Sequence, residues 1–240
     1  VGVDNIDLEA AKAHHVTVVN SPLATTVAVA ELTLSLMLSL VREIPRADAS
    51  MKSGKWLKKE FEGRELYGKT LGVLGFGRIG SAVAARAKAF EMKILAYDPV
   101  VSAEEIRARG GEPVSLDDLL KQSDMITMHM PLTSESKHLL NREAFSKMKD
   151  GVYIVCAARG GVIDEDALLE ALNSGKVAGA ALDVFATEPP GETELVAHPH
   201  VIDTPHVGAQ TVEAQTRAAH DIAEEVLNAL AGKPLRWKVA

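Results

Sequence analysis

The sequence predicts an α/β fold, a doubly wound parallel sheet with helices on both faces. Three observations predict it. From Lys69 onward, short apolar runs typical of buried strands alternate with helical patterns. A glycine-rich turn, Gly75 to Gly80, joins the first of these runs, Leu71 to Leu74, to a helix. The next apolar run ends at an acid, Asp98, roughly twenty residues beyond the glycines.

The three glycines of this turn have separate physical tasks. Gly75 allows a tight exit from the strand, Gly77 has no Cβ to hold a phosphate away from the backbone, and Gly80 lets the helix pack closely against the sheet. The helix N-terminus directs free N–H groups and a partial positive charge at a pyrophosphate. Asp98 stands where a dinucleotide-binding fold places a carboxylate on the ribose hydroxyls, although it also suits the turn before Pro99. Because a carboxylate repels the extra phosphate of NADP, these residues favour NAD.

The remaining elements follow from hydrophobic periodicity and from residues that begin or end a helix. Asp4 or Asp7 can cap the first helix, Ser115 can cap a later one, and Gly175 ends another. We predict helices at 8–14, 26–41, 80–90, 103–109, 116–122, 142–148, 165–173 and 212–231. We predict strands at 16–19, 71–74, 93–97, 125–130, 152–157, 178–184 and 201–203.

Composition limits the class of protein. The 240 residues carry a net charge of -7, which argues against nonspecific binding to nucleic acid. Cys156 is the only cysteine, so we expect neither a disulfide framework nor a thiolate metal site, and a reducing compartment such as the cytoplasm fits. The run from Val27 to Val41 is too short for a membrane span and contains Glu31. It predicts a helix that is deeply buried or shared with a second subunit.

The segment from Arg42 to Gly68 is polar and contains four lysines around Trp56. The lysines are Lys52, Lys55, Lys58 and Lys59. Two interpretations stay open for them: a solvated arm, or a basic contribution to the surroundings of an anionic substrate.

Residues able to do chemistry follow the predicted strands at one edge of the sheet, where folds of this kind bind ligands. They are Asp98, His129 to Thr133, Arg159, Asp183 to Glu188, and His206. An arginine can bind a substrate carboxylate, a histidine can exchange a proton with an alcohol, and a carboxylate beside the imidazole fixes its tautomer. With a nicotinamide alongside, these groups predict hydride transfer on a 2-hydroxy acid. We interpret the other histidines, including His129, and Cys156 as structural.

Four motifs resemble those of the D-isomer-specific 2-hydroxyacid dehydrogenases and occur in that family's order. They are Gly75 to Gly80, Ala157 to Asp164, Asp183 to Pro189, and Thr204 to Gly208. The resemblance covers nearly the whole chain and implies an NAD-binding Rossmann domain with a remnant of a flavodoxin-like substrate domain. It implies that Arg159 binds the substrate carboxylate and C2 oxygen. It further implies that His206 takes the hydroxyl proton and that Glu188 holds and polarises His206.

The resemblance also implies a cofactor site and an assembly. Backbone N–H groups of Arg78 and Ile79 would meet the pyrophosphate, and Asp98 the ribose. The rest of the cofactor site would be lined by Val1, Met130, Ala157, Ala158, Arg159, Asp183, His206, Gly208 and Ala209. The long apolar helix and the arm after it resemble the family's dimerisation elements, so a homodimer or dimer-based oligomer is implied. The implied domains are a substrate-domain remnant at 1–20, the NAD-binding domain at 21–206, and a helix at 207–240 that returns towards the substrate domain.

The chain departs from the family's pattern in two ways. Cys156 stands where the family usually has an asparagine, beside the loop that carries Arg159. The family builds most of its substrate domain from residues that would precede Val1, so we expect the chain to lack much of that domain, and also to lack a C-terminal regulatory domain. We therefore expect a chain that binds NAD(H) but turns over poorly. The substrate stays open at this point, because the family includes glyoxylate and hydroxypyruvate reductases. The function stays open as well, because NADH-sensing corepressors share the fold.

Overall fold

The computed structural model describes residues 2–3 and 5–240. The predicted cofactor contact at Val1 and the alternative helix cap at Asp4 therefore lie outside the described residues. The helices are α1 (Leu8–Ala13), α2 (Thr26–Val41), α3 (Ile44–Lys52), α4 (Arg78–Ala89), α5 (Ala103–Ala108), α6 (Leu116–Gln122), α7 (Arg142–Lys147), α8 (Glu165–Asn173) and α9 (Val212–Leu230), with a short 3-10 helix at Lys58–Glu60. The strands are β1 (Thr70–Leu74), β2 (Lys93–Tyr97), β3 (Glu112–Pro113), β4 (Met125–Met128), β5 (Val152–Cys156), β6 (Val177–Leu182) and β7 (Val201–Asp203).

The strands form one sheet in the order β3-β2-β1-β4-β5-β6-β7, and each neighbouring pair is parallel. This arrangement confirms the predicted doubly wound parallel sheet. The order reverses between β1 and β4, which is where folds of this kind bind their ligands. The register aligns the last residues of six strands in one row: Tyr97, Leu74, Met128, Cys156, Leu182 and Asp203. The loops that follow these six strands therefore all begin at the same edge of the sheet.

Both faces of the sheet are buried, because side chains alternate between faces along each strand. Ile126 and Ile154 pack on one face with residues of α6, α7 and α8. Met125 and Val155, their neighbours in sequence, pack on the other face with α2, α4 and α5. Within α2, Ala30 and Met37 are fully buried, which confirms the prediction of a deeply buried helix. The alternative, that α2 is also shared with a second subunit, stays a prediction.

The chain divides into two compact units. The larger is Ala30–Val207 and contains the whole sheet, and the smaller combines residues up to Val29 with Gly208–Ala240. In the smaller unit Asp7 caps α1 as predicted, its Oδ1 accepting the Ala10 N–H at 2.8 Å. The predicted strand at 16–19 is wrong. Only Val19 makes an isolated antiparallel bridge, with Lys238 near the C-terminus.

Other differences from prediction have local causes. The two-residue strand β3 was not predicted, because Glu112–Pro113 contains no apolar run and is identified only by its pairing with β2. The polar segment 42–68 contains α3, which has Pro45 in its first turn, and the 3-10 helix. Strands β4, β5 and β6 end one or two residues before their predicted ends, because the backbone leaves the sheet there to form the loops of the site. The predicted cap at Ser115 is confirmed, its side chain accepting the Asp118 N–H.

Candidate active site

The glycine turn lies between β1 and α4 and has one crowded side and one open side. A Cβ on Gly80 would lie 2.0 Å from the carbonyl oxygen of Gly75, so only glycine lets α4 approach the turn this closely. Gly75 has a φ of +88°, in the left-handed region that favours glycine, and a Cβ there would lie 2.7 Å from the His129 carbonyl oxygen. At Gly77, the N-cap of α4, no described residue other than its two chain neighbours comes within 4 Å of a Cβ position. The backbone is therefore open at the helix N-terminus, where a phosphate would approach.

A cavity of about 480 Å³ adjoins this open side. Its lining includes Gly75, Gly77, Asp98 and Met130, four residues that the sequence assigns to the cofactor site. Arg78 and Ile79 occupy the first turn of α4, where backbone N–H groups have no partner within the helix. The cavity, the open glycine and the helix N-terminus together fit the adenosine and pyrophosphate of a dinucleotide.

The carboxylate of Asp98 is held by the backbone on two sides. Its Oδ2 accepts the Phe76 N–H at 2.7 Å, and its Oδ1 accepts the N–H groups of Val100 and Val101 at 2.8 and 3.0 Å. The two alternatives weighed for Asp98, a turn residue and a cofactor residue, are thus compatible, since the carboxylate organises the turn after β2 and also lines the cavity.

His129 follows β4 and lines the same cavity, although from the sequence we interpret it as structural. Its Nε2 lies 3.0 Å from the Thr127 hydroxyl, and its buried Nδ1 has no hydrogen-bond partner among the residues that the structure describes. Burial lowers the pKa of His129 to about 3, because removal from water disfavours the charged ring. His129 is therefore neutral at physiological pH. His129 is among the residues named at the ends of the predicted strands, but nothing in the sequence indicated that it lines the cavity.

At the other end of the edge, His206 and Glu188 form a hydrogen-bonded pair. Nδ1 of His206 lies 2.7 Å from Oε2 of Glu188, and Oε1 of Glu188 accepts the Phe185 N–H at 3.1 Å. The imidazole is about half exposed and its backbone has a φ of +51°, a left-handed conformation uncommon for a residue with a side chain. With Nδ1 engaged by a carboxylate, Nε2 is the ring nitrogen available for proton transfer.

Asp183 fixes the turn that carries His206. Its carboxylate, 1% exposed, accepts the Thr204 hydroxyl at 2.6 Å and the Val207 N–H at 2.8 Å, both at Oδ1. These bonds span the two sides of His206 and hold its backbone in place. The sequence assigned Asp183 to the cofactor lining, and this bridging contact within the site was not predicted.

Arg159 lies in the loop after β5, packed against the loop that leads to Glu188. A Cβ on Gly160 would lie 1.7 Å from the carbonyl oxygen of Phe185, so the two loops are in direct backbone contact. The Arg159 side chain is partly buried and its Nη1 donates to the Ala158 carbonyl at 2.7 Å. Buried Cys156 lies under the loop with its Sγ 3.9 Å from the Arg159 carbonyl oxygen, and burial raises the pKa of this thiol to about 11. The thiol is therefore unreactive and supports the loop only weakly.

A second cavity, of about 360 Å³, lies beside the His206–Glu188 pair. Its walls are mostly apolar, including Phe185 and Val196, and Asp203 at the end of β7 also lines it. Oδ1 of Asp203 is buried with no hydrogen-bond partner in the described part of the chain, and burial raises the pKa of this carboxyl to about 6. The sequence did not single out Asp203.

The predicted site residues therefore fall into groups. Of those after the strands, Ala157 is buried and Ala158 is partly buried beside Arg159. Gly208 and Ala209 belong to the smaller unit, and their part in the cofactor site stays a prediction. The lysines around Trp56 are exposed, and Lys52 pairs with Asp48, so both interpretations of that group stay open. Among the described residues no cluster of side chains could hold a metal ion, and no helix is long and apolar enough to cross a membrane.

Comparison with known protein families identifies the family of the chain. The sequence model described as "D-isomer specific 2-hydroxyacid dehydrogenase, NAD binding domain" matches residues 34–208. The chain belongs to this family. The matched range nearly coincides with the larger unit, Ala30–Val207, which is thus the family's NAD-binding domain.

The relatives of this chain carry different names. The D-3-phosphoglycerate dehydrogenase of Bacillus subtilis is 50% identical over 235 residues, which cover 98% of this chain and 45% of that protein. The D-3-phosphoglycerate dehydrogenase of Rattus norvegicus is 50% identical over 234 residues, covering 98% of this chain and 44% of that protein. The chain therefore spans less than half the length of these curated relatives. Among solved structures, a glyoxylate reductase from Paecilomyes thermophila matches with a TM-score of 0.93 and 37% identity, over 100% of this chain and 73% of that chain.

Proposed function

We propose that the protein acts as an NAD-dependent D-3-phosphoglycerate dehydrogenase. It would oxidise D-3-phosphoglycerate to 3-phosphooxypyruvate, the first step of serine biosynthesis. The observation that carries the proposal is the His206–Glu188 pair, joined at 2.7 Å, on the same sheet edge as the open glycine turn. The 50% identity to the enzyme of Bacillus subtilis supports this substrate within the family.

His206, Glu188 and Arg159 have separate roles in the proposed oxidation. NAD+, when bound, accepts a hydride from C2 of the substrate. Nε2 of His206 takes the hydroxyl proton of the same carbon, so that the alcohol becomes a carbonyl as both leave. The carboxylate of Glu188 stabilises the imidazolium that forms, and holds the ring so that Nε2 faces the substrate. The guanidinium of Arg159 binds the substrate carboxylate and the C2 oxygen through its planar set of donors.

Three segments support phosphoglycerate as the substrate. Val1 to Asp7, Glu43 to Pro45 and Ser50 to Trp56 resemble D-3-phosphoglycerate dehydrogenases within the family. The lysines near Trp56 would add positive charge that favours a substrate carrying both a carboxylate and a phosphate.

A second candidate is a glyoxylate or hydroxypyruvate reductase, which the similarity to the glyoxylate reductase structure favours. The test compares kcat/KM for oxidation of D-3-phosphoglycerate with kcat/KM for reduction of glyoxylate and hydroxypyruvate, on the protein in the form found in the cell. Phosphoglycerate should be preferred. A preference for glyoxylate or hydroxypyruvate would overturn the assignment while leaving the dehydrogenase chemistry in place.

We propose further that the protein is a homodimer assembled through α2 and the arm at 42–68, and that residues 1–20 and 207–240 belong to the substrate domain. The exposed side chains of Ile44, Met51 and Trp56 support an interface on the arm. Light scattering on the purified protein measures the mass. Charged substitution at Met51 should yield monomers if the arm joins two subunits, and an unchanged mass would contradict this interface.

A further inference from the structure

Phe76 lies between Gly75 and Gly77 in the glycine turn, and both of its backbone polar groups are bonded to charged side chains. Its N–H donates to Oδ2 of Asp98 at 2.7 Å. Its carbonyl oxygen accepts Nη1 of Arg109 at 2.9 Å. Asp98 follows β2 and Arg109 ends α5, so two different parts of the fold hold one residue of the turn. Hydrogen bonds with one charged partner are about twice as strong as neutral ones.

These two bonds fix the orientation of both peptide groups in the turn. The peptide group is planar, so the Phe76 carbonyl and the Gly77 N–H are fixed together and point in opposite directions. By holding the carbonyl, Arg109 sets the direction of the N–H of Gly77. Gly77 is the N-cap of α4, and no described residue other than its two chain neighbours comes within 4 Å of its Cβ position. Arg109 thus acts on the backbone that faces the expected pyrophosphate, without lying in the open space itself.

The side chain of Phe76 provides a second attachment to the same part of the fold. Phe76 is fully buried, and a Cβ on Gly111 would lie 2.7 Å from its Cζ atom. The residues after α5 therefore pack against the Phe76 ring, while Arg109 binds the Phe76 carbonyl. The Arg109 guanidinium also lies 3.4 Å from Oε1 of Glu105, on the exposed side of the helix. Of these two contacts of Arg109, the shorter is the hydrogen bond to the Phe76 carbonyl.

We propose that Arg109 is a positioning residue for the cofactor's pyrophosphate, acting through the Phe76 carbonyl. The proposal rests on NAD binding at the glycine turn. Without the guanidinium, the Phe76–Gly77 peptide group is free to rotate and the N–H groups at the start of α4 are no longer pre-arranged for an anion. The adenosine part of the cofactor, which would lie against the cavity walls, does not depend on this peptide group.

The experiment compares Arg109→Met, which keeps the stem of the side chain, with Arg109→Lys, which keeps one charged donor. Arg107→Met is the matched control, because Arg107 is exposed on the same helix. Dissociation constants are measured for NADH by fluorescence, and for ADP-ribose and adenosine by ligand-observed NMR. Arg109→Met should weaken NADH and ADP-ribose about tenfold, the size expected for one hydrogen bond to a charged group. Adenosine binding should stay within about twofold, and Arg109→Lys should recover most of the NADH affinity.

The outcomes separate a positioning role from a structural one. Equal weakening of adenosine and ADP-ribose in Arg109→Met, with a lower melting temperature, would mean that the arginine only supports the fold, and it would overturn the proposal. Unchanged NADH affinity in Arg109→Met, or the same loss in Arg107→Met, would overturn it as well. Failure of the unmodified protein to bind NADH would contradict the cofactor site itself, and with it any role for Arg109.

Discussion

Glu188 uses both carboxylate oxygens within the site: Oε2 lies 2.7 Å from Nδ1 of His206, and Oε1 accepts the N–H of Phe185. The second bond matters because it anchors the carboxylate to the backbone of the loop after β6. The imidazole of His206 is therefore bonded to a carboxylate that is itself bonded to the backbone, although both side chains are substantially exposed. A neutral imidazole fixed in this way keeps one tautomer and one direction.

Replacement of Glu188 by Gln should lower kcat about 100-fold, the scale of a lost contribution to proton transfer. The amide is neutral and cannot stabilise an imidazolium, whereas it fills the same space. NADH affinity should change little, because the cofactor cavity at Gly75 and Asp98 is lined by other residues. Steady-state kinetics and NADH fluorescence measure the two effects. Glu192→Gln, an exposed acid in the same connection, should behave as the unmodified protein, and an equal loss of kcat there would contradict the specific role of Glu188.

Gly77→Ala and Gly80→Ala add the same methyl group to one turn and should have different effects. At Gly77 the added methyl would meet no described residue within 4 Å apart from its chain neighbours, so the variant should melt within about 2 °C of the unmodified protein but bind NADH about tenfold or more weakly. At Gly80 the methyl would lie 2.0 Å from a backbone oxygen, so folding should be destabilised by about 2–3 kcal/mol. Thermal unfolding and NADH titration measure both quantities. Normal NADH binding by Gly77→Ala would contradict a pyrophosphate at this turn.

Asp98→Asn should abolish the preference for NADH over NADPH without creating good NADPH binding. Removing the charge removes the repulsion of the additional phosphate. The amide, however, loses an acceptor, so the N–H groups of Phe76, Val100 and Val101 cannot all be satisfied as they are by the carboxylate. NADH affinity should therefore fall about tenfold while NADPH affinity changes less than about threefold. Titration with both cofactors measures the ratio, and a preserved ratio would show that Asp98 does not discriminate between them.

The elements that sequence reasoning located best are those whose boundaries are marked by local chemistry. The bounds of α2, α6, α8, β2 and β7 match their predictions. Helix α6 begins after Ser115, which caps it, and α8 is followed closely by Gly175 with a φ of +76°. By contrast, β3 depends on pairing with β2, and Val16 to Val19 looks like a strand locally but is paired with the C-terminal residues only through an isolated bridge, Val19 to Lys238. Both errors concern partners distant in sequence, which local patterns do not encode.

The same distinction applies to the candidate site. The positions of Arg159, Glu188 and His206 could be predicted, because parallel strands bring the residues that follow them to one edge. What each group contacts could not. Arg109 reaches the carbonyl of Phe76 across 33 residues, and no motif announces it.

Asp203 predicts a pH dependence of stability that can be isolated by one substitution. Burial raises the pKa of Asp203 to about 6, from an ordinary value of 3.8. Between these two values the folded protein holds a proton that the unfolded chain releases, so stability falls as pH rises from about 4 to about 6 and is constant above. The full shift would correspond to about 3 kcal/mol, but the side chain is only half buried, so we expect a loss of about 1 kcal/mol.

Asp203→Asn should therefore be more stable than the unmodified protein at about pH 7.5 by about 1 kcal/mol, with the advantage shrinking at about pH 4. Urea unfolding at both values measures it, and the comparison removes the other carboxyl groups because they titrate in both proteins. Asp150→Asn is the opposite control. Lys176 lowers the pKa of Asp150, so this variant should lose stability above pH 4 rather than gain it. An Asp203→Asn variant with no greater advantage at about pH 7.5 than at about pH 4 would mean that the carboxyl is hydrated in solution.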